Sequence, residues 1–243
     1  MLIKNSFFTS RIITCLIGPA ETPFQVHAKA LNSFLKPQTV EELGTGAGHV
    51  TIYFPDVDEI TFGHCCEFAY TGNYSVGITP GPVTGNGDIG NVKDRLFNQN
   101  ILTCNLFHPQ LLPYFHNLSQ KYANICPTFQ PSKPADDYAE ILLCHARIYC
   151  YAFSSDCPAL CVLSLNHLVK LLEGLVLCPR HIKDLVKLFE FVFEEGESSD
   201  YLQHILCDYM VWNVEALMQD SAFLDFLDGS PNLEKIIFRR MWV

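Results

Sequence analysis

Hydrophobic and polar positions alternate between two rhythms along this chain, and the change of rhythm divides it. Ile12-Ile13-Thr14-Cys15-Leu16-Ile17 is an apolar, β-branched run ending at Gly18-Pro19, which predicts a mostly buried strand and a turn. Pro23-Phe24-Gln25-Val26 reads as its hairpin partner, and His27 to Leu35 as a short helix stopped before Pro37. Val50 to Phe54 is a further strand closed by Pro55, after which Asp56 and Asp58 are candidate helix N-caps. Phe62, Cys65, Cys66 and Ala69 then recur at helical spacing until Thr71-Gly72.

Between residues 77 and 135 the pattern breaks up. Seven of the fourteen prolines lie there, and five of the fourteen glycines lie between Gly77 and Gly90. This is loop chemistry, read as an insertion, with Leu112, Phe115, Leu118 and Tyr122 allowing one short docked helix. From residue 136 onward the period is helical. Ile141–Phe153 forms a first helix, and Asp156 is expected to cap a second that carries Pro158, Leu160, Leu163, His167 and Leu171. Ile182, Leu185, Val186, Phe189 and Phe193 mark a third. Leu206, Met210, Val214 and Leu217 mark a fourth, and a short fifth runs over 232–242. The fold class expected is α+β: a small sheet packed with helices, an irregular insertion and a helical C-terminal extension.

Composition narrows the chemistry. With 49% hydrophobic and 17% charged residues in 243, a packed core forms without staples. A net charge of −10 with only 16 scattered Lys and Arg argues against a nucleic-acid partner. Eleven cysteines in irregular spacing contain no C-x-x-C pair, so reduced, mostly buried thiols in an intracellular compartment, cytoplasm or nucleus, are expected rather than a metal or disulfide framework. Cys157, Cys161 and His167 are the nearest thing to a ligand group. Asn73-Tyr74-Ser75 and Asn117-Leu118-Ser119 match a glycosylation sequon, which matters only on a secretory route. Arg11 interrupts the N-terminal stretch, a poor leader, and no apolar run reaches membrane-spanning length, so no membrane partner is expected.

One segment argues for catalysis. Glu42-Leu43-Gly44-Thr45-Gly46-Ala47-Gly48-His49 resembles the glycine-rich first motif of S-adenosylmethionine-dependent methyltransferases. That chemistry needs a buried strand before the glycines and a helix after them. Here Lys36 to Glu41 is polar, and Val50 to Phe54 is a strand pattern. The segment reads as a flexible turn, and the methyltransferase is the alternative. No Ser, Cys or His lies in a recognisable nucleophile motif; His145 and His167 read as core or boundary residues. No enzyme and no cofactor are expected.

The order of features is more informative. Phe24-Gln25-Val26-His27 opens a helix, Val50 to Phe54 ends in Pro55, and Ala69-Tyr70-Thr71-Gly72 closes a helix. Later, His145-Ala146-Arg147-Ile148-Tyr149 is followed by Ala152, Asp156, Pro158, Ala159 and Leu160. In this order the chain resembles the BTB/POZ family of fungal type, with its "F-x-V-H", "Y-T-G", "H-A-K-V-Y" and "D-x-P-A-L" elements. The resemblance covers 6–76 and 136–175 as the BTB/POZ-like domain, interrupted by 77–135 and followed by an extension over 176–243. It implies protein–protein interaction, as a scaffold or as an adaptor for a cullin ubiquitin ligase. Val40-Glu41-Glu42 is similar to the hydrophobic-x-Glu element of cullin-binding members, although such a triplet is also ordinary in a solvated loop. Val40, Glu42, Phe34 and Leu35 are therefore the candidate protein-contact residues. The chain departs from the family at Arg11, at Phe34-Leu35-Lys36-Pro37 and at Phe153-Ser154-Ser155, which bears on contacts more than on fold. Only eleven residues precede Ile12, short for the arm of an intertwined family dimer, so a monomer or weak homodimer is expected.

Overall fold

The alternation Ile13, Cys15, Ile17 does what a period of two predicts: all three side chains are fully buried, and the residues between them face outward. A computed structural model describes residues 7, 9–35, 50–76, 137–193 and 200–242. Its chain divides into two compact units, Met1–Val76 with Arg147–Ser164, and Gly77–Ala146 with Leu165–Val243. The expected insertion over 77–135 lies outside the described residues. The coarse class is mixed α+β, with one three-stranded sheet and nine helices among the described residues.

In the first unit, β1 (Ile12–Ile17) pairs antiparallel with β2 (Thr22–His27), in register from Ile12 opposite His27 to Ile17 opposite Thr22. The turn between them needs left-handed backbone, and Gly18 supplies it at φ 67°. β3 (Thr51–Phe54) joins the other edge of β1 in parallel, giving the order β2-β1-β3. The Gly18 N–H donates to Phe54 O at 2.9 Å, locking the end of β3 to the turn. A parallel neighbour requires a long crossover, and the 33 residues separating β1 from β3 include β2 and α1 (Ala28–Leu31). Helix α1 is shorter than the expected 27–35; it ends at Leu31, and the chain continues through turns and a bend to Leu35.

Asp58 caps α2 (Glu59–Thr71): its carboxylate accepts from Thr61 N at 2.8 Å and from Thr61 Oγ1 at 2.6 Å. Gly72 ends the helix at φ 80°, donating to Phe68 O. Phe62 is wholly buried and meets Phe24, Phe34 and Phe54 at ring distances of 5.3, 5.8 and 5.5 Å, so one α2 side chain ties together both outer strands and the turn after α1. Cys66, expected on the buried face, is only half-buried.

Two long helices, α3 (Ala139–Ser154) and α4 (Pro158–Gly174), contribute residues to both units. Asp156 does not cap α4. It is turned to φ 56°, and Cys157 takes the position before Pro158, with the N–H groups of Leu160 and Ala159 directed at its sulfur. In the first unit the Cys157 thiol donates to Ser33 O at 3.2 Å, and Tyr151 packs on Phe34.

In the second unit, α5 (Pro179–Phe193) is amphipathic as predicted, burying Ile182, Leu185, Val186, Phe189 and Val192 while Lys183, Lys187 and Glu190 face out. Its Asp184 accepts from Tyr138 N at 3.1 Å and so satisfies the start of α3. The expected fourth helix is two: α6 (Asp200–Trp212) stops, and α7 (Val214–Leu217) comes next. Asn213 is the reason, because its side-chain amide donates to Tyr209 O at 2.9 Å and its backbone leaves the helical region. A helix not anticipated, α8 (Ser221–Gly229), is capped by Asp220 and packs Phe223 and Phe226 on Phe189. The last, α9 (Pro231–Met241), lies against α6 and α8.

Candidate protein-interaction site

Of the four expected contact residues, Val40 and Glu42 lie outside the described residues. Phe34 and Leu35 are described and lie in the interior, 1% and 8% exposed, with Phe34 wedged against Phe62 and Tyr151. An apolar pair that seals its own core cannot also present that surface to a partner. The outward face of the sheet offers Ile12, 55% exposed, and Tyr53, 48% exposed, beside Leu16. The glycine run 44–48 is outside the described residues, and the next element along the chain is β3, a strand.

Two sequence motifs meet in space. His27 ends β2 and precedes α1; Tyr70 lies in the last turn of α2. The Tyr70 hydroxyl accepts from the His27 backbone N–H at 3.0 Å and lies 2.8 Å from His27 Nδ1, with the two rings edge-on at 5.9 Å. The N–H at the start of a helix has no intrahelical acceptor, so Tyr70 supplies one across 43 residues. Phe7 closes over the Tyr70 ring at 6.0 Å. Beyond Tyr70, Thr71 Oγ1 bonds Glu67 O and Asn73 O, and Glu67 accepts from both Ser75 N and Ser75 Oγ, fixing the path out of α2. Each motif was legible separately. The bond between them was not, because nothing local marks which tyrosine reaches which helix start.

The remaining chemistry-bearing groups are quiet. Burial raises the Cys15 thiol to about 11, and burial with the nearby Cys15 raises Cys66 to about 12, so both are neutral thiols at pH 7. Burial likewise pushes the Tyr151 phenol and the Cys161 thiol up. In the second unit His145 and His167 stack at 5.3 Å with planes 6° apart, and burial together with Lys170 lowers His167 to about 4. No three potential metal ligands gather among the described residues. No described helix is long and apolar enough to cross a membrane.

Comparison with known proteins adds no relative. No family model matches the chain, and neither does a curated protein or a solved structure.

Proposed function

We propose that this chain is a protein–protein interaction module of BTB/POZ type, working as a scaffold or cullin-ligase adaptor and not as an enzyme. The observation that carries the reading is the hydrogen-bonded pair His27–Tyr70, which joins the "F-x-V-H" and "Y-T-G" elements within one unit. Motifs matched by chance have no reason to meet; these support each other at the start of one helix and the end of another. The hairpin whose second strand holds the first motif, and the strand ending just before Pro55 between the two motifs, support the same order. The methyltransferase alternative needs a helix after Gly48, and a strand stands there instead.

Affinity purification of the tagged chain from its host, with mass spectrometry, is expected to recover a stoichiometric protein partner. Titration with S-adenosylmethionine is expected to give no heat. Saturable cofactor binding at micromolar affinity, lost in Gly46→Val and accompanied by no partner, would overturn the reading. The finer adaptor proposal rests on Val40-x-Glu42: a co-purifying cullin should vanish in the double variant Val40→Asp, Glu42→Lys. A wild-type chain that recovers partners but no cullin leaves the scaffold and removes the adaptor.

A further inference from the structure

Helix α9 has two faces of different character, both within the second unit. One face packs: Leu233 and Ile237 are 4% and 6% exposed, and Arg240 pairs with Asp208 and reaches His204 O on α6. The other face is uncovered. Phe238, Met241 and Trp242 stand at i, i+3 and i+4, so they form one stripe, and they are 62%, 45% and 76% exposed. The Phe238 and Trp242 rings lie 6.1 Å apart. Lys235 and Arg239 are exposed along one flank of the stripe. Single exposed hydrophobes are ordinary, but two aromatics and a methionine beside cations have the make-up of interface anchors.

Charge and area decide among occupants. Residues 231–243 carry Lys235, Arg239 and Arg240 against Glu234, a net +2 inside a chain of net −10. A second copy meeting this stripe symmetrically would set Lys235 and Arg239 against their own kind. A buried aromatic contributes about 150–250 Å², so this stripe covers less than the roughly 800 Å² per partner of a standard stable interface and suits a single-helix occupant rather than a whole folded face. Two exposed cations on one helix are also fewer than the cluster of about 4–8 that marks binding to anionic lipid. A narrow helical stripe of spaced anchors fits the ridge of another helix.

We infer that the Phe238–Met241–Trp242 stripe of α9 docks an acidic amphipathic helix of a partner protein, whose apolar residues cover the stripe and whose carboxylates meet Lys235 and Arg239. The inference stands on the second unit alone and does not rest on the reading of the first.

The test uses the full chain with Trp212→Phe, which leaves Trp242 as the sole tryptophan. The probes are two synthetic heptad peptides with leucine at the core positions, one flanked by glutamate and one by lysine. The glutamate peptide is expected to shift Trp242 emission to the blue saturably, to weaken with added salt, and to bind at least about tenfold more tightly than the lysine peptide, a difference of about 1.4 kcal/mol. Phe238→Asp should abolish the shift, and Lys235→Glu with Arg239→Glu should reverse the preference; all three side chains are exposed, so the fold survives both changes. Absence of binding, equal affinity for the two peptides, or an unreversed preference overturns the inference. A blue shift on phosphatidylserine vesicles without one on the glutamate peptide assigns the stripe to lipid, and a dimer lost in Phe238→Asp assigns it to a second copy; either result also overturns it.

Discussion

At the scale of single residues, burial sets the charge states, and His167 shows the consequence. Its side chain sits against His145, with Lys170 nearby, and both burial and that cation oppose a proton, lowering it from 6.5 to about 4. An unfolded chain takes that proton near 6.5. Between those values the unfolded state binds more protons than the folded one, so the folded state loses stability as pH falls from about 6.5 to about 4, and the contribution is fully present above that window. His167→Gln removes this dependence. Urea unfolding of both proteins between about pH 7 and about pH 5 is expected to show the wild type losing stability relative to the variant. A difference that stays constant across that range would mean that His167 is protonated in the fold as readily as in the unfolded chain. The sequence singled out His145 and His167 separately as core or boundary residues; their stacking required two helices to be brought side by side.

At the scale of elements, starts and stops obey local stereochemistry. Two glycines, one inside α2 and one capping its end, make opposite predictions from the same substitution. Gly72 holds φ 80°, with open space where a Cβ would go, so Gly72→Ala meets no clash but strains the backbone by about 1 kcal/mol. Gly63 lies inside the helix with equally open space, so Gly63→Ala relieves the glycine penalty by about 0.5–1 kcal/mol. Thermal melts should therefore move in opposite directions, each by a few degrees, on the order of 2–4 °C per kcal/mol. Equal signs would show that the α2 terminus is misplaced. Periodicity was a sound guide to α2 and α5. It failed at Asn213, where Leu206, Met210, Val214 and Leu217 keep a helical rhythm through a residue whose backbone leaves the helical region at φ −112°. It also passed over α8, whose adjacent pairs Phe223-Leu224 and Phe226-Leu227 carry a signal too short to separate helix from strand.

At the scale of the whole molecule, the thiols report packing. Six of the nine described cysteines are buried: Cys15, Cys65, Cys144, Cys157, Cys161 and Cys207. Burial raises both Cys15 and Cys207 to about 11, so neither exposure nor thiolate is on offer in the fold. Titration with a thiol-specific chromogenic reagent near neutral pH should leave those six of the eleven thiols unreacted until denaturant is added, whereupon all eleven react. Rapid reaction of more than five in the native protein would contradict the packing described. The expectation that most cysteines act as small hydrophobes came from their apolar neighbours, and burial of these six agrees with it.

Taken alone, the sequence determined what depends on a few neighbouring residues. The strand alternation over Ile12–Ile17, the turn at Gly18, the cap at Asp58, the stop at Gly72 and the amphipathic face of α5 all derive from φ/ψ preference, side-chain period and capping within a few residues. Tertiary structure alone decided what those elements meet. It set β3 parallel beside β1, bound Tyr70 to the start of α1, gathered three phenylalanines around Phe62, and enclosed Phe34 and Leu35 where a contact surface was expected. An apolar side chain reads the same whether it is covered by its own chain or kept for another. Only the distant segment that arrives to cover it makes the difference: Phe62 meets Phe34, while among the described residues Trp242 stays 76% exposed.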